Sequence, residues 1–484
     1  LEFLRSHATS RPGLPAVCRV GANDAPTSWQ TLHQQVQALS EFLKPILPAG
    51  GTVLLCYPNR PEYIALFLGV LAAGDTLFPV SSDSAGPELI SAARRSGAAA
   101  TIVHRDMADR FNDIYSTSDG LPAVSDSAVL LSGPRWNTLS TDGPALLLQS
   151  SGTTAEPKIV RRDGRSLDAV SINMVRACGF TPDDHVLAAV PLCHSYGLEH
   201  GLLAPIDAGS CVHVCEKFEL PAVLDEIQER GITMLPGVPF MFDMLARSNA
   251  ARFPHLRRAY SASGPLPRQT FDAFLQRFGV KISQLYGATE IGSVTFNNPD
   301  REPFDPASVG HPMDAVSVRI LDVGNPDIES PLPPGEEGQV AIEASSMLSG
   351  YVDQSKVPLV GGHFLTGDLG VLSPDGALTI RGRLKLLIDV GGRKVNPAEV
   401  ESVLCRHPGV GACVVIPMRI SETLSRLKAV VTPARPDVEI SLQELRRFAR
   451  EHLSGYKVPR VFEIRKSLPT SASGKVLRRM VEAS

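Results

Sequence analysis

Near its start the chain alternates between two hydrophobic periods, and few architectures accept that pattern. TSWQTLHQQVQALSEFL places apolar residues at helical spacing after a Thr/Ser start. TVLLCY reads as a short buried strand. PEYIALFLGVLAAG is helical again, with Pro61 at its opening and Gly74 at its close. TLFPVS and AATIVH read as further strands. Strand–helix alternation predicts a parallel sheet flanked by helices, an α/β domain.

At 484 residues the chain is too long for one core, so two or more domains are expected. Residues 116–143, rich in Ser, Asp, Gly and Pro, read as a long surface connection. Strand and helix units resume with HVLAAVPL and LPAVLDEIQERG. GQVAIEA and ALTIRGR, read as strands, follow the turn-rich VGNPDIESPLPPGEEG, so residues 309–383 are expected to form a β-rich subdomain. After Arg383 the texture changes. NPAEVESVLCRH predicts a helix capped by Asn396 with Pro397 in its first turn. SLQELRRFAREHLSG predicts another, with a Ser441/Glu444 capping box and a stop at Gly455. VFEIRK follows as a strand, completing a small α+β domain.

A 43% hydrophobic and 20% charged composition describes a soluble globular chain. Its net charge of −4 gives no field for nucleic acid or a membrane surface. The apolar run IALFLGVLAA is too short to span a bilayer. No signal peptide is visible, and a first residue of Leu1 rather than Met leads us to expect a longer natural start. The eight cysteines include no C-x-x-C pair, which points to a reduced, cytoplasmic protein. Cys211, His213 and Cys215 alternate along SCVHVCE and would share one strand face. They are one ligand short of a tetrahedral zinc set, so a packed strand face is the expectation.

Five stretches can carry chemistry. In SSGTTAEPK, Ser150, Ser151, Gly152, Thr153 and Thr154 could form an anion nest of backbone N–H groups and hydroxyls, with Lys158 adding charge. It lacks the Gly-Lys pair of a Walker loop, and alone it fits a polar surface loop equally well. YGATE, residues 286–290, offers a stacking ring, a hydroxyl and a carboxylate suited to Mg²⁺; most such stretches are turns. TGDLG offers an aspartate for a ribose diol, or an ordinary turn aspartate. GRLK lies at the change of texture, and SASGKVLRR is a Gly/Ser loop with a lysine or simply a solvated basic tail.

Taken in order, SSGTTxxPK, YGATE, TGD, GRxK with GGRKVNPAEVE, and SGKxxRR resemble the adenylate-forming superfamily of acyl- and aryl-CoA synthetases, luciferases and peptide-synthetase adenylation domains. The resemblance covers nearly the whole chain, including NRPEYIALFLGVLAAGDTLFPV. It implies an N-terminal adenylate-forming domain over residues 1–384 and a small mobile C-terminal domain over 385–484. It also implies an enzyme that joins a carboxylate to the α-phosphate of ATP, releases pyrophosphate and passes the acyl group to a thiol.

By family position, Ser151, Gly152, Thr153, Thr154 and Lys158 would enclose the β/γ-phosphates. Tyr286 would stack on adenine, with Gln284, Ser263 and Gly264 near its edge. Thr289 would bond the α-phosphate and Glu290 would hold Mg²⁺. Asp368 and Arg383 would grip the ribose. Lys475 would reach both the carboxylate and the α-phosphate. Lys385 would be the hinge about which the small domain turns, bringing Gly391 and Gly392 to line a tunnel for the pantetheine arm. The family's SGTTGxPKG reads SGTTAEPKI here, with Ala155 and Ile159 in place of glycines, so a stiffer phosphate loop is expected. KIVRR is similar to the KLIPR of aryl-acid-adenylating members, though Asp163 and Gly164 replace the Thr-His pair that follows there.

PLCHSYGLEHG matches the mouth of the family's acid pocket, where His194 would be an aromatic gate; it could also be a buried structural histidine. Ser195 stands where amino-acid-activating members place an aspartate, which argues against an α-amino acid. Gly237, Ser263, Gly287 and Gly292 would open space in a mainly apolar pocket for an aryl acid or a medium acyl chain. The leading expectation is an AMP-forming acid–CoA ligase using ATP, Mg²⁺ and coenzyme A. The alternative is a stand-alone enzyme loading the phosphopantetheine of a carrier protein. A luciferase-like oxygenase would share only the adenylation half, and a non-catalytic binding module ranks last because every matched polar position is retained.

Overall fold

The computed structural model describes residues 2–482 apart from 85, 113–114, 116, 122, 133–142, 151–157, 250–251, 387, 391–392, 420–424, 436–437, 454 and 471–475. Its contacts divide the chain into two compact units, Leu1–Ser317 with Glu343–Leu359, and Val318–Ile342 with Val360–Ser484.

The first unit is built on two sheets. In the eight-stranded sheet, Thr52–Cys56 lies parallel between Thr76–Pro79 and Ala98–His104, and Thr76–Pro79 pairs with Ala145–Gln149. In the nine-stranded sheet a parallel run reads, in spatial order, Ile282–Ala288, Arg258–Ser261, Met234–Gly237, His185–Ala188, Cys211–Val214 and Pro15–Arg19. The predicted α/β architecture is thus present.

Helices Trp29–Leu43 and Pro61–Ala72 share one core with apolar side chains of both sheets. Helix Pro61–Ala72 has no polar face: Tyr63 to Val70 are all buried, which is why its sequence reads as an unbroken apolar run. Its partner starts where Ser28 Oγ accepts from Thr31 N at 3.1 Å. The two helices meet at Gly69, where a Cβ would stand 2.7 Å from Leu39 Cδ2.

The long connection expected over residues 116–143 contains two strands instead. Thr117–Leu121 and Ser125–Ser132 form a hairpin, and the second pairs antiparallel with Ala98–His104. The run Ala128–Leu131 is buried, and its apolar side chains outweigh the turn-forming residues around it.

The second unit holds the expected β-rich sheet, in which Gly338–Ala344 pairs with His363–Leu372 and that strand with Leu378–Arg383. Its other part is the expected α+β piece: strands Val410–Arg419, Ser425–Pro433 and Val461–Ile464 with helices Pro397–Leu404 and Leu442–His452. Asn396 and Ser441 cap these helices, accepting from Ala398 N at 3.0 Å and Glu444 N at 3.3 Å. The second helix ends at His452, ahead of Gly455. Asn396 also donates from Nδ2 to Arg381 O at 2.7 Å. Among the described residues no helix is long and apolar enough to cross a membrane.

Candidate active site

The stretch SSGTTAEPK connects two strands of a hairpin. Ala145–Gln149 and Ile159–Asp163 are antiparallel, with Leu146 opposite Arg162 and Gln149 opposite Ile159. Ser150 N donates to Lys158 O at 2.9 Å, so the base of the loop is closed by backbone pairing. Ser151, Gly152, Thr153, Thr154 and Ala155 lie outside the described residues. Ile159, which stands where the family keeps glycine, is 2% exposed and fills the core beside this sheet.

Lys158 is half-buried, its ammonium 4.2 Å from the centre of the Tyr351 ring. Strand Gly350–Tyr351 pairs with Ile159–Asp163, which fixes that ring beside the lysine. The Tyr351 hydroxyl donates in turn to Glu290 Oε1 at 3.4 Å, and Leu348 N holds the Glu290 carbonyl at 2.7 Å. Burial, reinforced by the Glu290 charge, pushes the Tyr351 phenol well above its usual range and keeps it a hydrogen-bond donor. A lysine, a phenol and a carboxylate from three distant segments therefore converge. Tyr351 was not anticipated from the sequence; a lone Gly-Tyr pair carries no signal until its strand partner is known.

Strand Ile282–Ala288 delivers Tyr286, which is buried, to the turn that carries Thr289 and Glu290, both half-buried. Gln284 is committed to backbone: Oε1 accepts from Leu266 N at 3.2 Å and Nε2 donates to Pro306 O at 2.6 Å. It thereby anchors the loop containing Ser263 and Gly264. Ser263 is exposed with φ +68°, a left-handed conformation that costs a non-glycine residue about 1 kcal/mol. Gly264 has open space where a side chain would be.

Three pocket glycines need correction. A Cβ at Gly237 would meet Phe242 Cε2 at 3.0 Å. One at Gly287 would collide with the Gly292 carbonyl, and Gly292 has φ +69° with Arg162 Nη2 3.0 Å from its Cβ position. The space beside these glycines is already taken by protein, so they permit close packing rather than open a cavity.

Arg162, Ser195, Glu199, His200 and Ser293 form a sealed polar network that sequence reasoning missed. Arg162 Nη1 donates to Glu199 Oε1 at 2.6 Å, with the two side chains 0% and 1% exposed. Ser195 Oγ donates to the same oxygen at 2.8 Å. Ser293 N and Oγ donate to Oε2 at 3.0 and 2.7 Å. Since the Ser293 hydroxyl hydrogen goes to Glu199, its oxygen accepts from His200 Nε2–H at 3.0 Å. Nδ1 of His200 is then left buried without a partner among the described residues. Burial alone would push the Glu199 carboxyl up, but Arg162 and the Ser293 hydrogen bond outweigh it and hold the group below its usual range. The one available signal was Glu199, a charged residue inside the largely apolar GLEHGLL; Arg162, in the charged stretch IVRRD, gave none. His194 is exposed and precedes the short helix Ser195–Leu198, making no side-chain capping hydrogen bond.

In the second unit Asp368 and Arg383 sit opposite each other on paired strands. Arg383 Nε donates to Asp368 Oδ1 at 2.6 Å, with the aspartate 5% and the arginine 39% exposed. Lys385 falls in the short helical turn Leu384–Leu386. Gly391, Gly392 and Lys475 lie outside the described residues; the bridge between Thr470 and Val476 flanks the last.

A two-sheet α/β fold with a phosphate-type hairpin and a Tyr-Gly-Ala-Thr-Glu turn defines an adenylate-forming enzyme. The AMP-binding enzyme family matches residues 4–352, and the AMP-binding enzyme C-terminal domain matches residues 399–475. Feruloyl-CoA synthase of an Amycolatopsis species is 30% identical over 465 residues, covering 93% of this chain and 92% of its own. Oxalate–CoA ligase of Arabidopsis thaliana is 28% identical over 464 residues, covering 89% and 88%. ATP-bound MatB from Rhodopseudomonas palustris has the same fold, with a TM-score of 0.89, 24% identity and coverage of 99% and 98%. The chain belongs to the AMP-binding enzymes of the adenylate-forming superfamily, and it is an ATP-dependent, AMP-forming acid–CoA ligase.

Proposed function

We propose that the chain activates an aryl or medium-chain acid, not an α-amino acid, as its adenylate and then transfers the acyl group to the thiol of coenzyme A. The observation that carries this reading is the convergence of Lys158, Tyr351 and Glu290 at the mouth of a hairpin loop rich in hydroxyls. The central difficulty is that a carboxylate must approach a polyanion. Two like charges at ~4 Å repel by ~1 kcal/mol in water and ~4 kcal/mol at an effective dielectric of 20. Lys158 offsets that repulsion at the departing phosphates, with Ser151, Gly152, Thr153 and Thr154 as donors. Glu290 fits Mg²⁺ as a half-buried carboxylate bonded to the tyrosine that also carries Lys158. A bound Mg²⁺ would neutralise phosphate charge there. Thr289 bonds the α-phosphate, Tyr286 stacks on adenine, Asp368 and Arg383 hold the ribose, and Lys475 serves the reacting carboxylate. Lys385 is the pivot of a C-terminal domain starting at residue 385, with Gly391 and Gly392 lining the thiol path.

The preference against an amino acid rests on charge. Ser195 brings no negative charge to pair with an ammonium, and the carboxylate it does reach, Glu199, is already neutralised by Arg162. His194, exposed at the head of the same segment, acts as the gate. We place the enzyme in the cytoplasm, where its free thiols stay reduced.

Acid-dependent ATP–pyrophosphate exchange across a panel of aryl, fatty and amino acids, followed by thioester formation with CoA, tests this reading. Aryl or medium-chain acids are expected to drive exchange, and Lys475→Ala to lower adenylation by roughly 10³. Exchange with amino acids alone, no exchange at all, or full adenylation by the variant would sink it.

A further inference from the structure

The stretch SCVHVCE falls one ligand short of a metal set, and the fold changes that count. Strands Pro15–Arg19, Cys211–Val214 and His185–Ala188 are parallel neighbours, with Cys18 opposite His213 and His185 opposite Cys211. Because side chains alternate along a strand, Cys18, Cys211, His213 and His185 emerge on one face of the sheet. The sulfurs of Cys18 and Cys211 are 3.6 Å apart. Ligand atoms of Cys18, Cys211 and His213 all lie within 4.8 Å of one another, the one such group among the described residues. Cys215 stands outside it, its Sγ directed to Lys217 O at 2.7 Å. Both nitrogens of His213 are engaged: Nδ1 with Glu226 Oε1 at 2.6 Å, from helix Leu220–Glu229, and Nε2 with His185 Nδ1 at 2.9 Å.

We propose that Cys18, Cys211 and His213 bind a zinc ion. Its fourth position goes to the present partner of whichever His213 nitrogen takes the metal: His185 if Nε2 ligates, Glu226 if Nδ1 does. The other partner then keeps its hydrogen bond and orients the ring. Two thiols with imidazole in a tetrahedral set select zinc over hard cations. With Zn–S near 2.3 Å, tetrahedral sulfurs stand about 3.8 Å apart, close to the separation seen here. The imidazole must move in by about an ångström. Binding releases the two thiol protons, and the two thiolates then cancel the charge of the ion.

Plain packing would require only volume. It does not account for soft, polar side chains from four separate segments meeting where Cys211, His213 and Glu226 are buried. The role is structural. The cluster is separated from the Tyr286 strand by Arg258–Ser261 and Met234–Gly237, and it would tie the N-terminal strand to the sheet interior.

Full-length protein purified in reductant, equilibrated with zinc and desalted is expected to retain about one zinc per chain by elemental mass spectrometry. With cobalt as the probe, thiolate-to-metal charge transfer and the strong visible bands of tetrahedral coordination should appear. Cys18→Ser and Cys211→Ser should each hold less than about 0.1 metal per chain, and Cys215→Ser should match the parent. His185→Ala and Glu226→Gln identify the fourth ligand by which one loses zinc; retention in both overturns that assignment. Circular dichroism confirms that each variant is folded, and the cobalt spectrum of the parent needs no variant. Parent protein holding less than about 0.1 zinc per chain, or parental zinc in Cys18→Ser, overturns the site. So does a Cys18–Cys211 disulfide that persists in place of zinc after reduction and reconstitution.

Discussion

Lys158 immediately precedes the short strand Ile159–Asp163 and Arg162 lies near its far end, and the protein treats these two cations in opposite ways. Arg162 is sealed, paired to Glu199 at 2.6 Å and bonded to the Ser166 carbonyl at 3.3 Å. Lys158 is half-buried and rests on the face of Tyr351. A buried pair binds its charge to the fold, because removing one partner strands the other in a poor solvent. A cation on an aromatic face is held by only ~0.5–2 kcal/mol, which leaves its N–H donors usable by an incoming anion. The contrast separates a charge built into the fold from one that the proposed function assigns to phosphate.

Substitution at each position can break this division. The larger effect is expected for Arg162→Ala, which leaves Glu199 unpaired and should lower unfolding stability by about 3–5 kcal/mol in urea titrations. A loss below about 1 kcal/mol would mean water already reaches the pair. Lys158→Ala is expected to do the reverse: ATP–pyrophosphate exchange falls by about 10²–10³ while the urea midpoint stays with the parent. If both variants instead lose stability, Lys158 is a second structural charge and the phosphate assignment fails.

Much of this fold could be read in advance, and the parts that could not share a cause. Helices Trp29–Leu43 and Pro61–Ala72 announced themselves by period, and Asn396 and Ser441 by capping chemistry, because these are properties of adjacent residues. Strand Ser125–Ser132 was hidden because local composition outvoted a short apolar run. The partners of Tyr351, of Glu199 and of Cys18 could not be read because each depends on neighbours remote in sequence. Gly237, Gly287 and Gly292 show the same limit in another form. A missing Cβ reads identically whether it leaves room for substrate or yields to Phe242, a carbonyl or Arg162.

His200 tests how dry the sealed side is. Its ring lies between Tyr196 and Tyr260, with centroids 4.8 and 5.2 Å away, and Glu199 is its charged neighbour. Burial lowers its pKa from 6.5 to about 4, more than the Glu199 charge raises it. The folded state therefore stays unprotonated where the unfolded chain already binds a proton. Stability is complete above about pH 6.5 and is lost as pH falls toward about 4, by at most about 3 kcal/mol. Other titrating groups contribute in the same range: His185, also pushed down by burial, and the carboxylates below about pH 4.5. The readout is thus the difference between parent and His200→Gln in urea midpoint from pH 5 to 7. The parent should fall more steeply with acid than the variant. Parallel curves would place water at Nδ1 and erase the contrast between sealed Arg162 and half-buried Lys158.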